Sequence, residues 1–256
     1  MDANGLEGTY METIEQAWRG VTSMVPREQM EQAVRKLRDT YAITPGAPLV
    51  KREFGFYCLE EWKERQGMPP DVPLHELFDY DPPAKHALGQ LGWSQAAFVP
   101  TFEEQVLEDR GECEVVQDFA GRAVLFFKGR RNGFMPEYLG HPVTGRASWE
   151  ADVKWRLDRG TPQRYDDLEE RMQTAREYAA RGFIITQNLV GGYMYLRSLI
   201  GPADLLYMFY DAPDLIHDCM ATWLKLADGV IARHQRHVTL DEFFLAEDIC
   251  YNHGPL

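Results

Sequence analysis

Apolar positions recur along this chain in two patterns. Leu6, Tyr10, Ile14 and Ala17/Trp18 fall on one helical stripe, and Met30, Ala33/Val34, Leu37 and Tyr41 on another. Pro26 is placed for the opening turn of the second helix. Thr44-Pro45-Gly46-Ala47-Pro48 then breaks the periodicity. A helical extension over 1–46 is therefore expected ahead of a domain over 47–256.

Beyond that break, short continuous apolar runs end in polar groups or proline. Pro48-Leu49-Val50 leads to Lys51-Arg52-Glu53, and Ala96-Ala97-Phe98-Val99 to Pro100. Phe183-Ile184-Ile185 leads to Thr186-Gln187-Asn188, and Phe243-Phe244-Leu245-Ala246 to Glu247-Asp248. Continuous rather than alternating apolar residues mark strands buried on both faces, as in a parallel sheet. A helix is expected from Pro162 to Arg181, with Tyr165, Leu168, Met172, Ala175 and Ala179 inward, Thr161 as N-cap and Gly182 as stop. Another starts near Asp211 and Pro213 and carries Leu215/Ile216, Cys219, Trp223, Ala227, Val230/Ile231 and His234 inward. The stretch 114–127 reads as a β-hairpin turning near Gly121, inserted in the loop after the second core strand.

Strand–helix alternation predicts an α/β fold, either a (β/α) barrel or an open doubly wound sheet. The chain has no GxGxxG after its first expected strand and no GxxxxGK[ST] anywhere, so nucleotide-binding open sheets lose ground. Polar residues at strand ends fit a TIM barrel, whose chemistry gathers at the carboxyl face.

Charge narrows the function classes. Lys and Arg total 27 against 40 Asp and Glu, a formal charge of −13, which argues against phosphate-rich nucleic acid and against anionic membranes as partners. No apolar run approaches the ~18 residues of a membrane span, and MDANGLEGTYMETIEQ lacks the basic-then-apolar order of a secretory signal. Cys58, Cys113, Cys219 and Cys250 are widely spaced and form no CxxC pair, so reduced thiols in a cytoplasmic protein are expected.

Glu247-Asp248, with Cys250, Asn252 and His253 close behind, is the densest polar cluster at an expected strand end. Two carboxylates there could stabilise a cation, exchange a proton or hold a metal. The alternative is that they meet water or cap a helix. Cys250 and His253 make half of a zinc site with no second half at credible spacing, so no metal ligands are assigned. Arg52 and Glu53 stand where the first core strand would reach the barrel mouth, whereas Lys128, Arg130 and Arg131 form a basic turn of the kind usually solvated. Gly191-Gly192-Tyr193 would let backbone approach a ligand closely, or simply make a tight turn. His217, His234 and His237 fall on one long helix in surface or core roles.

Several motifs, in this order and at this spacing, resemble the uroporphyrinogen decarboxylase superfamily, which includes cobamide-dependent methyltransferases. They are Arg52-Glu53-Phe54-Gly55-Phe56, His75-Glu76-Leu77-Phe78-Asp79-Tyr80-Asp81, and Phe127-Lys128-Gly129 with Gly133-Phe134-Met135-Pro136-Glu137-Tyr138. Trp149-Glu150, Trp155-Arg156-Leu157, Leu196-Arg197-Ser198-Leu199-Ile200-Gly201, Ala246-Glu247-Asp248 and Gly254-Pro255-Leu256 continue the series. The resemblance covers most of 44–256 and implies a (β/α)8 barrel with a tetrapyrrole or methylated substrate at its mouth. From their strand-end and turn positions Glu247 and Asp248 are expected to be catalytic, and Arg52, Glu53, Tyr193, Arg197 and His253 to bind substrate. True decarboxylases carry a second arginine where this chain has Phe56 and an acid after the second strand, where 96–100 offers none. The family's active-site tyrosine aligns with Arg197, and its serine falls near Glu247-Asp248.

Four core strands against the family's eight point to a fragment carrying about four βα units, or to a sheet completed by another chain. Methyl transfer with a corrinoid partner, corrinoid and zinc being the cofactors the family implies, is the leading expectation. Decarboxylation of uroporphyrinogen or a related acidic tetrapyrrole, and an inactive or non-catalytic fragment, are the alternatives. A small molecule or a corrinoid protein is the expected substrate, and a homodimer is compatible with the sequence.

Overall fold

Met30, Ala33, Val34 and Leu37 share one face of helix α1 (Arg27–Tyr41) and are all buried, as their spacing of three and four residues requires. Glu28 in the first turn and Arg38 in the last complement the helix dipole. The structure is a computed structural model that describes residues 25–52, 78–93, 95–129, 136–251 and 254–255; the expected helix over 6–18 lies outside them. The chain divides into two compact units, Met1–His86 with Tyr178–Ile184, and Ala87–Glu177 with Ile185–Leu256.

In the first unit α1 packs on Val25, Ala84, Phe183 and Ile184. Its Lys36 ammonium lies 2.7 and 2.8 Å from the two carboxylate oxygens of Asp81, a largely buried pair. Asp81 also accepts the backbone N–H of Lys51 at 2.6 Å. That bond explains a correction: Pro48-Leu49-Val50 is not a strand. Pro48 has no N–H to contribute, a side chain takes the Lys51 N–H, and Leu49 stands 83% exposed.

The second unit is mixed α/β. Strands β1 (Lys85–Leu88, its first two residues counted with the first unit), β6 (Ile184–Val190, its first residue likewise) and β7 (Glu242–Ala246) form a three-stranded parallel sheet in the order β1-β6-β7. β6 and β7 run in register from Thr186↔Glu242 to Val190↔Ala246. Both expected strands at 183–185 and 243–246 are present. The first runs further, so Thr186, Gln187 and Asn188 lie within β6 rather than at its end.

Ala96-Ala97-Phe98-Val99 is not a strand either. Ala96 and Phe98 are buried in irregular backbone whose carbonyls and N–H are satisfied from elsewhere. Arg164 donates to Ala97 O at 2.8 Å, and Val99 N–H donates to Arg156 O at 2.9 Å. A short apolar run reads alike as a buried strand or a buried loop. The strand that precedes it, β1, is four residues of half-buried alternation, too short to register as a pattern.

The hairpin near Gly121 is present as β3 (Cys113–Gln117) and β4 (Ala123–Phe127). Asp118 organises its turn, accepting from Ala120 N–H, Arg122 N–H and the Arg122 guanidinium at 2.7–3.0 Å. Gly121 holds φ +76°, and a Cβ there would lie 2.9 Å from the Phe102 ring, so the turn needs glycine on both counts. β2 (Gln105–Arg110) and β5 (Glu137–Gly140) extend the hairpin to a four-stranded antiparallel sheet. The sequence pattern predicts neither: β2 is exposed along its whole length and β5 over three of its four residues, so no buried face marks them.

The helix expected over Pro162–Arg181 is interrupted. A tight turn spans Pro162–Tyr165, and α2 covers Leu168–Ala180 with Met172 and Ala175 buried. Helices α3 (Gly192–Ile200), α4 (Pro202–Asp211) and α5 (Pro213–His234) follow β6. Gly201, at φ +95°, separates α3 from α4. α5 buries Leu215, Ile216, Cys219, Ala227, Val230 and His234, as its spacing predicted. Trp149, Tyr195, Leu199, Leu205 and Val190 anchor the core of this unit. Among the described residues no helix is long and apolar enough to cross a membrane.

Candidate functional site

The parallel pairing of β6 and β7 decides what meets at their carboxyl ends. Val190 and Ala246 are register partners, so the residues that follow them, Gly191 and Glu247, emerge side by side. Gly191 donates its N–H to Ala246 O at 2.5 Å and becomes the N-cap of α3. The first turn of any helix leaves N–H groups without intrahelical acceptors. Here the Glu247 carboxylate takes two of them, Tyr193 N–H at 3.0 Å and Met194 N–H at 2.9 Å, together with Asp248 N–H at 3.1 Å. Its negative charge sits on the positive end of the helix dipole.

The two glycines make room for this approach. A Cβ on Gly191 would fall 2.3 Å from Glu247 Oε2 and 2.5 Å from Ala246 O, and one on Gly192 would meet Met220 Cε at 2.9 Å. The sequence marked Gly191-Gly192 as a place where backbone could approach a ligand. The group that approaches is the protein's own Glu247. Its capping role is therefore positional, holding strand end and helix start together.

One turn along α3 from Tyr193, the Arg197 guanidinium donates to Asp248 Oδ2 at 2.7 Å. The two side chains are 34% and 57% exposed, so this pair faces solvent and is open to an incoming group. An arginine can bind a carboxylate, and the adjacent carboxylate can accept or return a proton or face a developing cation. The Tyr193 side chain is half-buried against the core, and the bond it contributes here comes from its backbone. Arg52 is exposed and belongs to the first unit. Glu53 and His253 lie outside the described residues, as do Arg130 and Arg131. Lys128 is held by Asp109 at 2.6 Å on the surface.

A second polar group lies deeper in the same unit: the sequence places His234 inward on its helix and Gln187 at a strand end, and does not bring the two together. His234, at the end of α5, is fully buried with Nδ1 2.7 Å from Gln187 Oε1 and Nε2 2.9 Å from Gln90 Oε1. The amide orientations follow from their other contacts. Gln187 Nε2 faces the carbonyl oxygens of Leu88, Gly89 and Asn188 at 2.8–3.1 Å, and Gln90 Nε2 faces Arg164 O at 2.6 Å. Burial, reinforced by the Arg171 charge, pushes the His234 pKa down to about 4. The neutral ring has one N–H to offer two oxygens. The available signal was a Thr-Gln-Asn triplet inside an apolar strand.

Cys219 is buried, with its thiol pKa pushed up to about 12 by burial and the nearby Asp218 charge, which makes it a poor nucleophile. Cys250 is exposed, and Cys58 lies outside the described residues. Among the described residues, no group of three or more His, Cys, Asp or Glu side chains is placed to hold a metal ion. Compared with family models, curated proteins and solved structures, the chain matches none.

Proposed function

We propose that this chain belongs to a uroporphyrinogen decarboxylase-like enzyme of (β/α)8 type, and that its work is methyl transfer with a corrinoid partner. The observation that carries the reading is the solvent-facing Asp248–Arg197 pair at the carboxyl ends of adjacent parallel strands, steadied by Glu247 on the α3 N-terminus. Open α/β sheets and barrels both place their chemistry at that end of the strands.

The barrel part of the reading draws support from β7. Gln187 and Leu189 on β6 are buried, yet their register partners Phe243 and Leu245 are 54% and 50% exposed. A further βα unit laid beside β7 would cover them, as α5 covers Gln187. Asp248 and Arg197 would then face the substrate, while Glu247 would act as a positioning residue. Among the described residues no zinc donor set is present.

A second reading, decarboxylation of an acidic tetrapyrrole, is favoured by the same exposed carboxylate. Asp248 could stabilise a pyrrole cation, with Arg197 holding a substrate carboxylate. Titration with a corrinoid followed by visible absorbance tests the first reading, and coproporphyrinogen formation from uroporphyrinogen tests the second. In the turnover of whichever reaction responds, methyl transfer or porphyrinogen decarboxylation, Asp248→Asn should cost roughly 100-fold or more, and Glu247→Gln should also impair it, while Lys128→Ala leaves it nearly unchanged. Equal effects at all three positions would remove the site from this strand end. No response in either assay would favour a non-catalytic role.

A further inference from the structure

Helix α4 (Pro202–Asp211) buries Leu205 but leaves four large apolar side chains in solvent. Leu206 is 45% exposed, Tyr207 71%, Phe209 41% and Tyr210 88%. Ten residues of helix rarely show so much apolar surface without a partner. Along one face of α4, at helical spacing, Asp204, Tyr207 and Asp211 border a groove of about 550 Å³ that Asp214 and the Thr144–Arg146 segment close. Asp204, Asp211 and Asp214 are all exposed. The one cation in the groove lining, Arg146, is already engaged by Asp218 at 2.6 Å. The groove thus borders the aromatic ridge through Tyr207 and carries three carboxylates that no side-chain cation of its lining pairs.

We propose that this groove docks a basic amphipathic helix of another protein, its apolar face on Tyr207 and Tyr210 and its lysines or arginines on the three aspartates. Helix-in-groove recognition pairs an apolar stripe with a hydrophobic ridge, and exposed tyrosine faces attract cations as well as apolar groups. The formal charge of −13 steers a basic partner in and opposes a second copy of this acidic chain. It also opposes an anionic lipid surface.

The probe is a labelled helix-forming peptide with leucines on one face and lysines on the other, titrated into the full chain and followed by fluorescence anisotropy. Wild type should bind it, and the same peptide with glutamates for lysines should not bind. Combined Tyr207→Ser and Tyr210→Ser should weaken binding tenfold or more. Combined Asp204→Asn, Asp211→Asn and Asp214→Asn should weaken it similarly and flatten its salt dependence. The two tyrosines are exposed, so their variant should keep the wild-type unfolding midpoint, the aspartate variant should lower it only slightly through the lost first-turn charges of α4 and α5, and amide exchange should slow in α4 when peptide is added. A peptide held equally well by wild type and both variants would be bound by net charge alone and would overturn the proposal. So would a wild-type dimer in sedimentation that Tyr210→Ser dissolves, because the ridge would then belong to a second copy.

Discussion

The middle of the β6–β7 pair and its carboxyl end are both polar, yet they obey opposite rules. In the middle, Gln187 and His234 are fully buried, the Gln187 amide N–H groups face backbone carbonyls, and His234 has one N–H for the two amide oxygens beside it. At the end, Asp248 and Arg197 pair in solvent, where water would satisfy either one alone. Buried polar groups are costly to leave unpaired, whereas exposed ion pairs add little to stability. The dry group therefore reads as structural, and the wet pair is free to do chemistry.

The largest test of that contrast is Gln187→Leu. It removes an acceptor from His234 and a donor from Leu88 O and Gly89 O, so two or more buried groups lose partners. A loss of about 4 kcal/mol in denaturant unfolding is expected at 1–3 kcal/mol per group. A loss no larger than that of Asp248→Asn would erase the distinction.

Acid should find the same weak point. His234 falls from 6.5 to about 4 on folding because burial and Arg171, with a smaller contribution from His237, oppose its charged form, while Asp167 partly offsets them. A depressed pKa contributes stability that is complete above 6.5 and is lost as pH falls toward 4. That loss amounts to up to about 3 kcal/mol. The unfolding midpoint should drop across this window in wild type and stay flatter in His234→Gln.

Gly191→Ala comes next, at about 2 kcal/mol, because the added methyl must push aside the Glu247 carboxylate or the Ala246 carbonyl. Smallest are the two acids themselves. Glu247→Gln should cost about 1 kcal/mol through the lost charge at the α3 N-terminus, and Asp248→Asn less than about 1 kcal/mol. Were Asp248→Asn the more destabilising of the two, their assigned roles would have to be exchanged.

Much of this arrangement was legible beforehand, and the misses share a cause. β6, β7, α1, α5 and the Gly121 hairpin were readable because periodicity, glycine and proline report local backbone preference. The runs at 48–50 and 96–99 misled because apolar content reports burial rather than hydrogen bonding. Whether their N–H groups meet another strand or a side chain such as Asp81 is settled by residues distant along the chain. Helices α3 and α4 escaped notice because Gly191, Gly192 and Gly201 punctuate them like loops.

At the candidate site the same division holds. The sequence alone determined that two acids end an apolar strand and that a glycine pair follows another. Only the tertiary structure decided that these ends meet, that Glu247 is consumed in capping α3, and that Asp248 keeps Arg197 for company in water. Parallel pairing brings together residues more than fifty positions apart. No local pattern encodes such a meeting, because it depends on the register of two strands joined by three intervening helices.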